Sequence, residues 1–511
     1  MTTVLRGLTP PAIGSTWRRA RGRGWPAAGT VVALTAVCAA LSALWMPRGP
    51  VTTAQALTAM GTSLAVGLLG GWWLRSRWSM LLVPATFAAV FELVRLPTDG
   101  PLVDGIVLTS PYGLIAFVLG RGLHGLLTLL PLLLGSALGA GLARRTARHG
   151  EQPARTGRTT RVARRFVAVG LAVLLLALTA AIARPAGTDT IADQDGEALA
   201  GSVSELTRVS AGDHELNVML RGTSSANPVL LYLAGGPGGS ELGAMRRHGQ
   251  ALEQDFVVAT LDQRGTGASY DQLEPISTLT LEHAVADVIT VTRHLRERFG
   301  QDVVVVGQSW GTLLGVLAVQ QHPELFRAYV GVGQMVDPLA TDAVFYADTL
   351  AWAKSTGNTA LTDTLLDSGP PPYDDVLDYE AALSYEQEVY PYDHSGNAEG
   401  AGGFSENLLV REYSFLQQAH ALAAFMDVFT VLYPQLQRLD LRRQVPTLQV
   451  PVFLAQGRHE APGRAGPAAQ WFQQLEAPLK TFVEFDRSGH RPLFEQPDEF
   501  HRLMVDVLAR T

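Results

Sequence analysis

The chain has 511 residues, of which 47% are hydrophobic and 17% charged, and its formal net charge is −7. The charge is unevenly distributed, because residues 1–185 carry 19 arginines and four acids while the rest carries 21 basic residues and 43 acids. This arithmetic excludes a disordered chain and a single-domain soluble protein, since two chemically different halves are joined.

Residues 1–185 have the composition of a membrane region. A bilayer-spanning helix needs about 20 mostly apolar residues, and five stretches meet that length. The predicted spans are 29–46, 56–74, 79–96, 123–143 and 165–183. The apolar segment 106–119 is shorter and contains Pro111, so we expect it to be re-entrant or interfacial rather than a sixth span.

The arginines also predict an orientation. They concentrate before the first span, after the second, and in an eight-arginine loop before the fifth. Because cytoplasmic loops carry the excess of basic residues, the N-terminus is predicted to be cytoplasmic and everything after Arg184 extracytoplasmic. A lipid bilayer is therefore an expected partner, and the basic loop is expected to set topology rather than bind nucleic acid.

The rest of the chain alternates strand and helix patterns. After a linker at 186–202, a domain is predicted over 203–511, with an insertion at 338–445 that is long enough to be a helical lid. The predicted strands are 203–209, 215–221, 229–233, 256–261, 303–306, 328–332, 450–455 and 481–485. Short strands joined by helical crossovers indicate a doubly wound α/β sheet.

A nucleophile motif follows the four-valine strand 303–306. Residues 307–311 read Gly-Gln-Ser-Trp-Gly and open a helix. Glycines at both ends allow a strained strand-to-helix turn that leaves the hydroxyl of Ser309 protruding. We interpret Ser309 as a catalytic nucleophile.

A serine nucleophile needs a base and an orienting acid, in the chain order Ser, acid, His. His490 follows the last predicted strand and is the expected base. Glu460, after the strand that ends near Ala455, is the preferred acid, and Asp337 is the alternative. The Gly-rich run 235–239 follows the third strand, so the backbone N–H groups of Gly236 and Trp310 are assigned to an oxyanion hole.

These motifs resemble the proline iminopeptidase (prolyl aminopeptidase) family of α/β-hydrolases. The resemblance covers residues from about 203 to 511 and rests on segments whose order and spacing match: 233–239, 262–269, 307–311, 457–460 and 488–490. It implies an α/β-hydrolase fold with a helical lid, placed here after about five transmembrane helices. It also implies Ser309 as nucleophile, His490 as base and Glu460 where the family usually has Asp.

The resemblance has departures. Ala234 replaces the family's usual His, and the lid lacks the Trp-rich motif whose glutamate holds the substrate's free amine. The lid acids that are candidates for that role are Glu386, Glu388, Asp393 and Glu412.

The leading functional hypothesis is a membrane-tethered extracytoplasmic serine hydrolase that cleaves short peptides or amides through an acyl-enzyme. The alternatives are an esterase or lipase-like enzyme on the same triad, and a membrane sensor whose domain only binds ligand. We expect no cofactor and no metal site, because Cys38 is the only cysteine and His459-Glu460 lacks a helical His-Glu-x-x-His frame. The oligomeric state is not predicted.

Overall fold

The computed structural model describes residues 13–147, 158–393 and 404–511. The chain divides into two compact units. The first comprises the described residues up to Asp99 together with Gly120–Ala183, and the second comprises Gly100–Leu119 with Arg184–Thr511. The second unit therefore takes in a segment, Gly100–Leu119, that lies between two predicted spans.

The described part of the chain before Arg184 is mostly helical. Its α-helices are α1 (Ile13–Trp45), α2 (Thr53–Leu74), α3 (Ser79–Val94), α4 (Pro111–Phe117), α5 (Leu123–Ala147) and α6 (Arg158–Ala183), of which α4 belongs to the second unit. By length and composition, Pro26–Trp45, Thr53–Leu74, Pro111–Thr146 and Phe166–Ala183 could each cross a membrane. The helix α3, predicted as the third span, has 16 residues and is shorter than these.

Four glycines bring α2 and α5 into backbone contact. A Cβ on Gly67 would overlap the backbone of Leu132, and one on Gly71 would overlap Ser136. The reciprocal clashes would occur at Gly135 and Gly139 of α5. Both helices therefore carry a Gly-x-x-x-Gly pair at their interface, an arrangement typical of close packing between membrane helices.

An eight-stranded sheet forms the core of the second unit. Its strands are β1 (Val203–Ala211), β2 (His214–Gly222), β3 (Val229–Leu233), β4 (Val257–Leu261), β5 (Val303–Gln308), β6 (Phe326–Val332), β7 (Val452–Gly457) and β8 (Lys480–Phe485). The spatial order is β1-β2-β4-β3-β5-β6-β7-β8. Strand β2 runs antiparallel to both of its neighbours, β1 and β4, and the other neighbouring strands are parallel. Every residue of β3, β4 and β5 is buried, as expected for parallel strands covered on both faces. The predicted α/β architecture is confirmed.

Helices connect the parallel strands and follow the last one. The connecting helices are α7 (Leu242–His248), α8 (Leu281–Phe299), α9 (Trp310–Gln321) and α16 (Pro462–Gln474). After β8 come α17 (Pro492–Glu495) and α18 (Pro497–Arg510). Between β6 and β7 the chain forms the insertion instead, with α10 (Pro338–Thr356), α11 (Thr359–Ser368), α12 (Val376–Leu383), α13 (Glu386–Val389), α14 (Phe415–Leu436) and α15 (Leu441–Gln444). We call this insertion the lid. Its helix α14 is also apolar enough to cross a membrane, but Ala423, Ala424 and Leu436 are fully buried within the second unit.

The segment Gly100–Leu119 packs on the lid. The backbone N–H of Tyr112, in the first turn of α4, donates to Glu380 Oε1 of α12 at 3.2 Å. The Tyr112 ring meets Phe425 of α14 edge-on, with the ring centroids 6.4 Å apart. The predicted domain boundaries place this segment in the membrane region, whereas its contacts are with the second unit.

Candidate active site

The turn between β5 and α9 holds Ser309 in a strained backbone conformation. Ser309 has φ 52° and ψ −119°, a region that residues with a Cβ rarely adopt. A Cβ on Gly307 would overlap the backbone of Gly311, and a Cβ on Gly311 would overlap that of Leu233. The two glycines thus permit the close backbone approach that a strand-to-helix elbow requires.

The hydroxyl of Ser309 is directed toward a methionine. It donates to Met335 Sδ at 3.7 Å. The Met335 backbone N–H donates in turn to Thr312 Oγ1 at 3.0 Å, within the first turn of α9. Thioether sulfur is a weak acceptor, so this contact holds the hydroxyl only loosely.

His490 lies in the loop after β8 and lines the same cavity as Ser309. Its Nδ1 lies 2.6 Å from Glu460 Oε2. The loop is fixed beside the imidazole, because the Gly489 N–H donates to Glu495 Oε2 at 2.7 Å. With Nδ1 engaged by the carboxylate, Nε2 is the nitrogen left for a reacting group.

Glu460 follows β7, and its side chain is completely buried. Its Oε1 accepts hydrogen bonds from the Ala461 N–H at 3.0 Å and from Arg464 Nε at 2.7 Å. Burial by itself would raise the pKa of this carboxyl, but the positive charges of Arg464 and His490 outweigh burial and lower the pKa to about 2. Glu460 is therefore ionised at neutral pH and can orient the imidazole.

Asp337, the alternative acid, is engaged elsewhere. It is the N-cap of α10, where Oδ1 accepts the Ala340 N–H at 3.0 Å. Its Oδ2 forms an ion pair with Arg442 Nη2 at 2.5 Å. The structure thus brings Glu460 to His490 and places Asp337 in a capping role.

The two predicted oxyanion donors are Trp310, next to Ser309 in the chain, and Gly236, in the Gly-rich run after β3. Trp310 is the first residue of α9, where a backbone N–H has no acceptor within its own helix. Gly236 has φ 129° and lines the cavity with Ser309. Glu241 fixes the Gly-rich run, because it accepts the Gly235 N–H, and its Oε2 also accepts the Tyr232 hydroxyl at 2.5 Å.

The Asp-Gln-Arg-Gly segment at 262–265 hydrogen-bonds to both parts of the chain that carry the predicted oxyanion donors. Gln263 Nε2 donates to the Ala234 carbonyl at 3.0 Å, and its Oε1 accepts the Trp310 indole N–H at 2.7 Å. Arg264 forms two hydrogen bonds with the buried Asp287, at 2.9 and 2.7 Å. The contacts of Gln263 tie the Gly-rich run to α9.

A cavity of about 200 Å³, open to solvent, connects Ser309 and His490 with the lid. Much of its wall is aromatic, contributed by Phe345, Tyr346, Tyr373, Tyr379, Phe425, Phe429 and Tyr433. The acids among its described lining residues are Glu241, Asp342 and Asp378. The site therefore combines an aromatic wall with carboxyl groups.

Residues 228–497 match the family model described as the alpha/beta hydrolase fold. The chain belongs to this family. The hydrolase is 29% identical over 303 residues to the probable aminopeptidase YbaC of Bacillus subtilis (strain 168), an alignment that covers 58% of this chain and 94% of that relative. The predicted α/β-hydrolase fold is confirmed.

Solved structures of similar proteins include two that are named for proline iminopeptidases. A proline iminopeptidase-related protein from Thermus thermophilus has a TM-score of 0.43 at 18% identity, covering 60% of this chain and 98% of that one. A proline iminopeptidase from Mycobacterium smegmatis has a TM-score of 0.38 at 20% identity, again covering 60% and 98%.

The four acids of the lid that were predicted to bind the amine are not among the residues that line the cavity. Glu386 forms an ion pair with Arg464. Glu412 is buried, 3.0 Å from Arg246 Nε and 3.1 Å from Thr188 Oγ1. The side chains of Glu388 and Asp393 are exposed. The hydrolase instead presents Asp342 and Asp378 to the cavity.

Sequence reasoning missed Asp342 and Arg464. Asp342 Oδ1 accepts the Tyr433 hydroxyl at 2.7 Å and its Oδ2 accepts Gln437 Nε2 at 3.0 Å. Burial raises the pKa of Asp342 to about 7 in spite of these hydrogen bonds. No local motif marks Asp342, but Arg464 stands four residues after Glu460 at the start of a helix, a spacing that could have identified the pair.

Proposed function

We propose that the protein is a membrane-tethered, extracytoplasmic serine hydrolase that removes the first residue from short peptides or amides with a free N-terminus. The observation that carries the proposal is the convergence of Ser309 and the Glu460-paired His490 on one cavity. The aminopeptidase name of a relative that aligns over 303 residues supports the substrate class.

The reaction follows from the positions of the groups. After the Ser309 hydroxyl turns from Met335 to His490, Nε2 takes its proton and Oγ attacks the substrate carbonyl. The negative charge on the carbonyl oxygen is stabilised by the N–H groups of Gly236 and Trp310. His490 then gives the proton to the departing amine, and water hydrolyses the acyl-Ser309 ester by the same steps in reverse.

The cavity supports a preference for a cationic substrate. Asp342 and Asp378 lie on its lid side, and both carboxyls have raised pKa values, which for each group is caused first by burial. An ammonium group brought beside Asp342 would favour the ionised carboxylate and form a charge-assisted hydrogen bond. We assign Asp342 as the principal anchor for the substrate's free amine.

The membrane part of the proposal rests on the apolar helices and the arginine distribution. The contacts of Gly100–Leu119 with the lid independently support an even number of spans between this segment and the enzyme domain. This segment lies between the third and fourth predicted spans, and the enzyme domain follows the fifth. Two spans separate them, so the five-span arrangement puts both on the same side of the bilayer, as their contacts require.

An esterase is the second candidate, favoured by the aromatic wall of the cavity. Phe345, Phe425 and Phe429 offer no partner for a peptide N–H and would accept an acyl chain equally well. The two candidates differ in whether a free amine on the substrate matters.

Three substrates separate these functions on the full chain in detergent: proline 4-nitroanilide, its N-acetyl derivative, and 4-nitrophenyl acetate. The proposal predicts Ser309-dependent cleavage of the free-amine amide and little cleavage of the acetylated one. Efficient cleavage of the ester, with no difference between the free-amine and acetylated amides, would identify the protein as an esterase. Turnover that is unchanged in Ser309→Ala would overturn the serine mechanism for both.

A further inference from the structure

Arg464 is a buried cation shared by two carboxylates. Its Nε donates to Glu460 Oε1 at 2.7 Å, and its Nη2 forms an ion pair with Glu386. The Arg464 side chain is 11% exposed, against 0% for Glu460 and 30% for Glu386. A guanidinium can serve both partners because its donors form a rigid fork.

The two carboxylates belong to different parts of the unit. Glu460 is in the turn after β7 and contacts His490, whereas Glu386 begins α13 of the lid. A second lid element also meets the same cation, since the guanidinium lies over the Phe345 ring of α10, 4.7 Å from its centroid. Two lid helices, α10 and α13, therefore contact Arg464, and Arg464 in turn contacts Glu460, the carboxylate that pairs with His490.

The charge of Arg464 decides the protonation of the Glu460–His490 pair. A completely buried carboxyl without a cation binds a proton readily, and Arg464 is the largest influence that lowers the pKa of Glu460. Removing the guanidinium would raise the proton affinity of the coupled pair, whichever member holds the proton. Protonation of the pair removes the base that the proposed reaction needs.

Other titratable groups face the same cluster. Asp342, Tyr390 and Tyr433 are close enough to Arg464 for its charge to lower their pKa values, although burial is the larger influence on each and raises them. On the other side, Tyr392 lies near Glu460. The nearby tyrosines have raised pKa values, so at neutral pH they are uncharged and Arg464 is the permanent cation of the cluster.

We propose that Arg464 is a positioning residue of the hydrolase reaction: it keeps Glu460 ionised against His490 and links that state to the lid through Glu386. The proposal rests on the serine mechanism proposed above. It adds a chain of ionic contacts from Glu386 of the lid through Arg464 and Glu460 to His490. A movement of α13 away from α16 would break the ion pair between Glu386 and Arg464. It would thereby change the position of the guanidinium that hydrogen-bonds Glu460.

The test compares Arg464→Gln, Arg464→Lys and Glu386→Gln in the full chain, using pH profiles of kcat/KM. Arg464→Gln is expected to lower kcat at least about tenfold with a smaller change in KM, and to move the acidic limb up by about one pH unit. Arg464→Lys retains the charge and is expected to restore the position of that limb. Glu386→Gln should lower kcat less, and it should add little in the Arg464→Gln background.

Arg458→Gln is the matched control. Arg458 lies two residues before Glu460 but points outward, paired with Glu484 at 2.8 Å and 57% exposed. An acidic limb that stays in place in Arg464→Gln, or moves equally in Arg458→Gln, would overturn the proposal. If Arg464→Gln folds poorly, Glu386→Gln becomes the decisive variant, since a wild-type kcat in Glu386→Gln would also overturn the proposal. Failure of the serine mechanism itself is recognised separately, by activity that survives in Ser309→Ala.

Discussion

Glu460 Oε2 lies 2.6 Å from His490 Nδ1, although the two residues follow different strands of the sheet and are 30 positions apart in the chain. The carboxyl ends of β7 and β8 are neighbours, so their loops meet beside the elbow after β5. Glutamate is one methylene longer than the usual aspartate, and Arg464 and the Ala461 N–H hold the other oxygen of the longer side chain.

Glu460→Gln should lower kcat by about 10²- to 10⁴-fold with little effect on folding. The amide preserves the shape but removes the charge that fixes the tautomer of His490. Steady-state kinetics on the free-amine amide measures the loss. Asp337→Asn is the control, because Asp337 caps α10 and pairs with Arg442. A larger kcat loss in Asp337→Asn than in Glu460→Gln would show that the acid is misassigned.

Asp342→Asn should remove the preference for a free amine while sparing cleavage of the neutral ester. Since the pKa of Asp342 is about 7, the wild-type carboxyl ionises as the pH rises from about 6 to 8, and KM for the cationic amide should fall over that interval. The fall should be absent from the Asn variant and from the acetylated substrate. Equal pH dependence of KM for the charged and acetylated amides would contradict the assignment.

Gly139→Ala should destabilise the first unit by about 1–3 kcal/mol, because the added Cβ would overlap the backbone of Leu68 on α2. Gly141→Ala on the same helix is the matched control. Nothing lies within 4 Å of its added Cβ, so it should be neutral or slightly stabilising through helix propensity. Thermal unfolding in detergent measures both, and equal midpoints would refute the Gly-x-x-x-Gly packing of α2 and α5.

Cysteine labelling can determine on which side of the membrane the enzyme domain lies. Cys38 is the only native cysteine, so its removal leaves a chain in which each introduced cysteine reports alone. In a Cys38→Ala background, Gln473→Cys on the exposed face of α16 should react with a membrane-impermeant maleimide in intact cells. Ser76→Cys, between α2 and α3, should react only after lysis. The reverse pattern would place the enzyme domain in the cytoplasm.

Much of the fold could be predicted from sequence because each pattern there is local. The four-valine run of β5 and the glycines of the elbow encode a buried strand and a strained turn within nine residues, Val303–Gly311. Likewise, the first two strands were predicted at 203–209 and 215–221, and β1 and β2 extend those ranges by one or two residues.

The roles of individual lid residues could not be predicted, because they depend on contacts between residues far apart in the sequence. Glu386 was a candidate for the substrate amine, but its partner Arg464 lies 78 residues further along the chain. Asp342 reaches the cavity only through the packing of α10 against α14, where Tyr433 meets it. The contact of Tyr112 with Phe425 joins a short interspan segment to the lid, and no periodic pattern in either segment indicates it.

The most direct test of the central claim is covalent trapping of the nucleophile. The full chain would be treated with a fluorophosphonate and the modified peptide identified by mass spectrometry, with Ser309→Ala and Ser240→Ala in parallel, since Ser240 also lines the cavity. The account predicts one adduct on Ser309, retained in Ser240→Ala and lost in Ser309→Ala together with activity. An adduct on Ser240, or full activity in protein whose Ser309 is modified, would contradict it.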